Sequence, residues 1–366
     1  MSAHYLPDTP ALRAQMAEAS NEALAAMGLD ATTVGPWEDG YRAAASADST
    51  FEWWYFDMQL HDGSTVVVTF NNKDQTHPDG PVSPSVLLIH HAPDGTRTRK
   101  VLPFPAAQFT AATDACDVAM GANTVKGDLT TYVLHVEDPD AGFSADLTLT
   151  RVAPSWRPGA SITYFDHAKT EYLAWVVPVP YGTVTGSITD ASGTRQVTGA
   201  GYHDHNWGNK VMSSMLDHWY WGRAHVDDFT LVYVCMTTKG LFGVGQINLT
   251  TLLVAKGDQV LTGDGLPLRL ETSGDVPGPG GQHYPTDLKW SWHTDDGTVR
   301  MHITSPELIE ALDMKADGNS WRHPVSHLLD HPMYYDFNAD IALEVDLKGV
   351  SAQVTGRTLF EKMMFR

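Results

Sequence analysis

Phe51-Glu52-Trp53-Trp54-Tyr55-Phe56-Asp57, followed by Asp62-Gly63 and the run Thr65-Val66-Val67-Val68, is the stretch on which the fold turns. Short aromatic and β-branched runs broken by an Asp-Gly pair read as antiparallel strands joined by a tight turn. The same texture recurs at Pro93-Asp94-Gly95 and beyond, so the chain is expected to be mainly β. The opening stretch also has an echo. Asp217-His218-Trp219-Tyr220-Trp221-Gly222-Arg223, with Asp228 and the strand Phe229 to Met236, lies 166 residues further on. A second echo equates Gln196-Val197-Thr198-Gly199 with Gln353-Val354-Thr355-Gly356 at 157 residues, each leading to an aromatic strand with a carboxylate, Asp204 or Glu361. Two similar offsets in the same order predict a duplication of one β unit. The expected divisions are residues 1–36, a helical extension, then β domains over 37–212 and 213–366.

Within the extension, Asp8-Thr9-Pro10 ahead of Ala11 to Met27 and Gly28 predicts one helix: a cap, a proline in the first turn and a glycine stop. Residues 273–286, with Gly274, Pro277, Gly278, Pro279, Gly280 and Gly281, read as a long surface loop.

Composition narrows the function. Over 366 residues the formal net charge is -20, which repels nucleic acid and anionic membranes and leaves a neutral or apolar small molecule as the expected ligand. Cys116 and Cys235 stand far apart with no metal-ligand spacing and are expected to be reduced thiols. The chain shows no basic start with an apolar run and no 18 consecutive apolar residues, so a cytoplasmic protein without an integral membrane segment is expected. Glycine-rich nucleotide loops and a Gly-x-Ser-x-Gly elbow are missing, which points to chemistry without a cofactor.

Chemistry is expected in Gly199-Ala200-Gly201-Tyr202-His203-Asp204-His205-Asn206-Trp207-Gly208. As a strand it turns Tyr202, Asp204 and Asn206 one way and His203, His205 and Trp207 the other. A His-x-His pair can ligate zinc or iron, but a third ligand does not stand out among His90, His91, Glu52, His218 and His225, so no metal is assigned. Glu52 shares a face with Trp54 and Phe56, opposite Trp53, Tyr55 and Asp57. Among rings its carboxyl is either a proton donor or the partner of an arginine or histidine from the other half, such as Arg223. Trp53, Trp54, Trp175, Trp219 and Trp221 are core, and also candidate walls of an apolar pocket whose rings could face a carbocation.

The strands around Glu52, the block from Gly201 to Gly208 and the closing Gly356-Arg357-Thr358-Leu359-Phe360-Glu361 resemble the hydroxyneurosporene synthase family, with carotenoid hydratases, kievitone hydratase and lipocalin-like Diels-Alderases as relatives. The likeness runs from about residue 37 to the C-terminus. It implies two lipocalin-like antiparallel β-barrel or β-sandwich units with a ligand at or near their junction. It also implies roles for His205 and Trp207, the His-x-Trp pair of the hydratases. Their Tyr-x-Asp pair falls on Tyr233-Val234-Cys235, where a thiol replaces the acid.

The leading expectation is therefore a cofactor-free hydratase, isomerase or cyclase acting on an alkene of an isoprenoid-like or polyketide-like molecule of secondary metabolism. Asp204 or Glu52 would be the acid, with Trp207 and His205 beside the cation and the attacking water. Tyr202, His203, Asn206 and Cys235 would line the substrate. The alternatives are a pericyclase working by preorganisation and a lipocalin-like carrier without catalysis.

Overall fold

Strand follows strand from Phe51 onward in the computed structural model, which describes residues 9–18, 20–240, 245–313 and 332–365. The first twelve strands are β1 (Phe51–Leu60), β2 (Thr65–Asn71), β3 (Ser85–His91), β4 (Arg97–Pro103), β5 (Phe109–Ala111), β6 (Asp117–Met120), β7 (Asn123–Gly127), β8 (Thr131–Asp138), β9 (Phe143–Arg151), β10 (Ile162–Tyr164), β11 (Tyr172–Asp190) and β12 (Gly193–Gly208). They form one sheet in the order β4-β3-β2-β1-β12-β11-β9-β8-β7-β6-β5, with β10 on β11. The rest are β13 (Leu216–Val226), β14 (Phe229–Thr238), β15 (Asn248–Lys256), β16 (Gln259–Thr262), β17 (Arg269–Ser273), β18 (Val276–Pro277), β19 (His283–Tyr284), β20 (Asp287–Thr294), β21 (Gly297–Asp313), β22 (Met333–Leu347) and β23 (Val350–Met364). Their main sheet runs β16-β15-β14-β13-β23-β22-β21-β20-β17.

The two orders repeat one plan: the first strand of each sheet pairs with its last, β1 with β12 and β13 with β23. The sequence offsets survive in the ladders. Trp53 faces Asn206; 166 residues on from Trp53 stands Trp219, 157 on from Asn206 stands Met363, and these two also face each other. A chance likeness of aromatic clusters would not preserve register, because a slip of one residue turns every side chain to the other face.

Each sheet curls around its own core. In the first, Trp54 and Phe56 of β1 share one apolar cluster with Leu88 of β3 and Met120 of β6. Since β3 and β6 stand near opposite ends of the strand order, the sheet must bend to bring them together. In the second, Tyr233, Trp290, Phe337 and Phe360 meet in the same manner. The mainly β, lipocalin-like fold is thus present in duplicate. By contact density one unit takes in Ser20–Thr163 with Glu171–Val211, and the other takes in residues from Met212 onward with Tyr164–Thr170 and residues 9–18.

Two local expectations are corrected. The single N-terminal helix is two, α1 (Pro10–Met16) and α2 (Asn21–Ala26). Glu18 takes a left-handed φ of 44°, and Ser20 starts a second helix by accepting from the Ala23 amide at 3.1 Å. Ser-Asn in mid-segment acts as a cap, a role those side chains prefer to a helix interior. Residues 273–286 are not a plain loop, because β18 and β19 pair there and Tyr284 packs on Phe337 at 4.7 Å between centroids. Among the described residues no helix is long and apolar enough to cross a membrane.

The close approach of β1 and β12 requires glycine at one point. A Cβ on Gly199 would lie 2.2 Å from the Gln59 carbonyl oxygen and 2.7 Å from Leu60 Cα, both backbone atoms. Gly199→Ala should therefore push the ladder apart and cost about 1–3 kcal/mol. A fall in the denaturant midpoint at constant m-value checks this, and an unchanged midpoint contradicts it.

Candidate functional site

The β1/β12 ladder sorts the predicted residues onto two faces. Directly opposed residues of antiparallel strands share a face, and the register pairs Glu52 with Trp207, Trp54 with His205 and Phe56 with His203. These six look toward the core side of the sheet. Trp53, Tyr55 and Asp57 pair with Asn206, Asp204 and Tyr202 and look the other way. Alternation therefore separates Asp204 from the histidines on either side of it.

The core side holds a network of charges. Glu52, wholly buried, accepts from the Arg42 amide at 2.7 Å and the Ala43 amide at 2.6 Å, and its Oε1 lies 2.7 Å from His205 Nε2. His205 Nδ1 stands 3.4 Å from Asp39 Oδ1. Asp39 Oδ2 accepts from the Tyr132 hydroxyl at 2.5 Å and lies 3.1 Å from His203 Nε2. His203 Nδ1 donates to the Tyr55 carbonyl at 2.9 Å. Ring stacking fixes both imidazoles, His203 on Phe56 at 4.0 Å and His205 on Trp54 at 4.8 Å.

Electrostatics follow from these contacts. Burial opposes a charge on His205, but hydrogen bonds and attraction from Asp39 and Glu52 outweigh it and raise the imidazole to about 9. Burial likewise pushes the Asp39 carboxyl up, and His203 and His205 overcome it and hold the group at about 2. His205 is thus a buried cation between two carboxylates, stacked on an indole that favours positive charge.

On the other face, Asp204 is 7% exposed and meets only neutral donors among its hydrogen-bond partners. Its Oδ2 accepts from the Tyr202 hydroxyl at 2.8 Å and Trp175 Nε1 at 3.0 Å, and its Oδ1 from Asn206 Nδ2 at 2.9 Å. Burial dominates and raises this carboxyl to about 6, against the pull of the Tyr202 and Trp175 hydrogen bonds and of the nearby imidazoles. Two buried carboxyls in one unit are driven apart, a pattern that separates a standing charge from a working acid.

The backbone beside Asp204 is irregular. Along β11 the pairing jumps from Val176 opposite His205 to Val179 opposite His203, and then to Gly182 opposite Gly201. Val177 and Pro178 thus stand against Asp204 alone, and Pro180 and Tyr181 against Tyr202. Prolines without N–H groups cannot complete the ladder, and Val177 instead bonds Trp156. Bulges of this kind re-aim neighbouring side chains and are frequent beside active sites. Here Trp175, just before the first bulge, turns its indole N–H to Asp204.

The remaining predicted residues lie elsewhere. Tyr233 and Cys235 point into the core of the second unit, where Tyr233 bonds Thr358 Oγ1 at 2.7 Å and packs on Trp290 at 5.0 Å. Burial pushes the Tyr233 phenol up, as befits a core hydroxyl. Trp219 and Trp221 are half-buried on the opposite face of β13, with Trp219 Nε1 donating to Glu361 at 2.7 Å. The partner of Glu52 is His205 from the same ladder, in place of the expected Arg223. His218 bonds Asp217, and His225 bonds Thr230. His90 stands 3.9 Å from Asp190, and His91 is a half-buried residue of β3.

Asp39, Cys116 and His203 bring one donor atom each within 4.8 Å. Asp39 and His203 are already engaged with each other, and burial keeps the Cys116 thiol protonated well above its ordinary range, so the trio is read as a hydrogen-bonded hub of the core. Sequence reasoning missed Asp39. Its one signal is Pro36-Trp37-Glu38-Asp39-Gly40, two acids held in a tight turn at the entrance to the β region.

A family profile described as Diels-Alderase-like matches residues 41–265. The quinolone epoxide rearrangement protein asqO of Emericella nidulans is 26% identical over 287 residues, spanning 70% of this chain and 73% of that protein. Hydroxyneurosporene dehydrogenase of Chlorobaculum tepidum is 34% identical over 124 residues, 31% of this chain and 32% of that one. Among solved structures, CghA with Sch210972 superposes with a TM-score of 0.62 at 14% identity, covering 87% of this chain and 89% of that chain. Kievitone hydratase from Nectria haematococca superposes at 0.55 and 14%, covering 91% and 96%.

Proposed function

This chain belongs to the Diels-Alderase-like family, and we propose that it is a cofactor-free acid catalyst that rearranges an epoxide or an alkene of an apolar small molecule. The observation that carries the reading is Asp204, a buried carboxyl raised to about 6 and aimed by Tyr202, Trp175 and Asn206. Such a group still holds a proton close to neutral pH and gives it up readily, the compromise that general-acid catalysis requires. Trp53, Tyr55 and Trp175 place half-buried rings on the same side of the sheet, where they can face a developing cation. The rearrangement protein asqO supports an epoxide as the group attacked, since an epoxide oxygen accepts a proton more readily than an isolated double bond does.

The test is the pH dependence of turnover. The protonated fraction of Asp204 falls as pH rises through about 6, so kcat should be level below that value and drop about tenfold per unit above it. A rate that stays level across roughly pH 5 to 8 overturns the assignment.

The family description supports a second reading, a pericyclase in which protonated Asp204 polarises a carbonyl through a hydrogen bond while the rings fold the substrate. No proton leaves Asp204 in that case, so a solvent deuterium effect on kcat close to unity favours it. A carrier has no use for a buried carboxyl aimed by three donors.

A further inference from the structure

A second carboxylate shares the face of Asp204. Asp57, 3% exposed, stands on β1 directly opposite Tyr202, while its neighbour Tyr55 stands directly opposite Asp204. Asp57 and Asp204 are therefore diagonal neighbours across an antiparallel pair, a relation that sets backbones about 7–8 Å apart and side chains somewhat closer. Tyr202 belongs to both: its hydroxyl donates to Asp204, and its backbone faces Asp57. Two buried carboxyls thus stand two residues apart along one face, with the Tyr55 and Tyr202 rings beside them at 6.2 Å between centroids, and such a pair can divide the work so that one acts as acid and the other as base.

Resting on the assignment of Asp204 as the acid, we propose that Asp57 is the base of the same reaction. Asp204 gives its proton to the epoxide oxygen, and the C–O bond breaks toward that oxygen, leaving an alcohol and a carbocation. The Asp57 carboxylate then takes a proton from the carbon next to the cation. The C–H electron pair becomes a new double bond, and the product is an allylic alcohol isomeric with the substrate. A proton moves back from Asp57 to Asp204 through solvent to restore the site, so no oxidant, reductant or co-reactant is consumed. A carboxylate is too weak a base for an ordinary C–H bond, but it suffices beside a carbocation, where that bond is strongly acidic.

α-Methylstyrene oxide is a probe whose products separate the steps. Its cation yields 2-phenylprop-2-en-1-ol if a base removes a methyl proton, 2-phenylpropanal if hydride shifts, and a diol if water adds. The wild-type protein is expected to give mainly the allylic alcohol. In Asp57→Asn the epoxide should still be consumed, with the rate of allylic alcohol formation down about 10²-fold and aldehyde or diol in its place. A readout that needs no variant is trideuteration of the methyl group, which should move wild-type product away from the allylic alcohol. If wild type leaves the probe untouched, the acid assignment fails and takes this inference with it. If wild type turns the probe over but neither Asp57→Asn nor the deuterated probe changes the product ratio, the role of Asp57 alone is overturned.

Discussion

His205→Ala is expected to lose about 3–5 kcal/mol of stability at neutral pH. The reason is the charge it leaves behind. Glu52 and Asp39 are wholly or almost wholly buried, and the imidazolium between them is 2.7 Å from one and 3.4 Å from the other. Removing one partner of a buried ion pair strands the other, which costs far more than the pair contributed. The pH dependence supplies a second check. The His205 pKa is raised from 6.5 to about 9, so its stabilisation is complete below the ordinary histidine value and is lost as pH climbs through about 9. Asp39, held at about 2, stabilises above the ordinary carboxyl range, and that contribution is lost as pH falls through about 2. Denaturant midpoints of the wild type should therefore decline between about pH 6.5 and 9, and a His205→Ala protein that still folds should lack this decline. If the variant matches wild type in stability across that range, the charge network is not built as described. Loss of activity in His205→Ala alone would thus be no mark of a catalytic role.

Asp204→Asn should behave in the opposite way. Turnover is expected to fall 10²–10⁴-fold, the range general acids commonly contribute. Stability should hold or rise, because an amide oxygen can still accept from Tyr202 and Trp175 and never has to ionise out of water. The sign follows from the raised value: a carboxyl shifted from 3.8 to about 6 favours the fold below its ordinary pKa, and this is lost as pH rises through about 6. At pH 8 the ionised group therefore costs on the order of 3 kcal/mol, which the amide removes. Measured together, kcat and the midpoint at about pH 8 should move in opposite directions. A variant that loses both has lost a structural residue, and one that keeps its full rate leaves the acid to be sought elsewhere.

The duplication and the block from Tyr202 to Trp207 were legible in the sequence because both depend on period and spacing. The twofold alternation of a strand likewise sets which residues share a face. What could not be read is how far-separated segments meet. Asp39 reaches His203 across 164 positions, from a turn that carries no periodic signal. Trp175 reaches Asp204 only because β11 bulges beside it, and no alternating pattern announces a bulge. Tyr233 and Cys235 illustrate a third limit. Nearly every residue of β14 is buried, so alternation does not distinguish its core face from the other, and a resemblance alone gave the pair a functional role.

The pairing of β1 with β12 also sets a clock on synthesis. Glu52 leaves the ribosome 153 residues ahead of His205, the cation it is to be buried with. At ordinary elongation speeds that is roughly 8–30 s. Until then the Trp53-Trp54-Tyr55-Phe56 run can pair with β2 but has no strand to close against on its other side. The first sheet therefore cannot complete its central ladder until the strand carrying Asp204 and His205 emerges, late in the synthesis of the first unit.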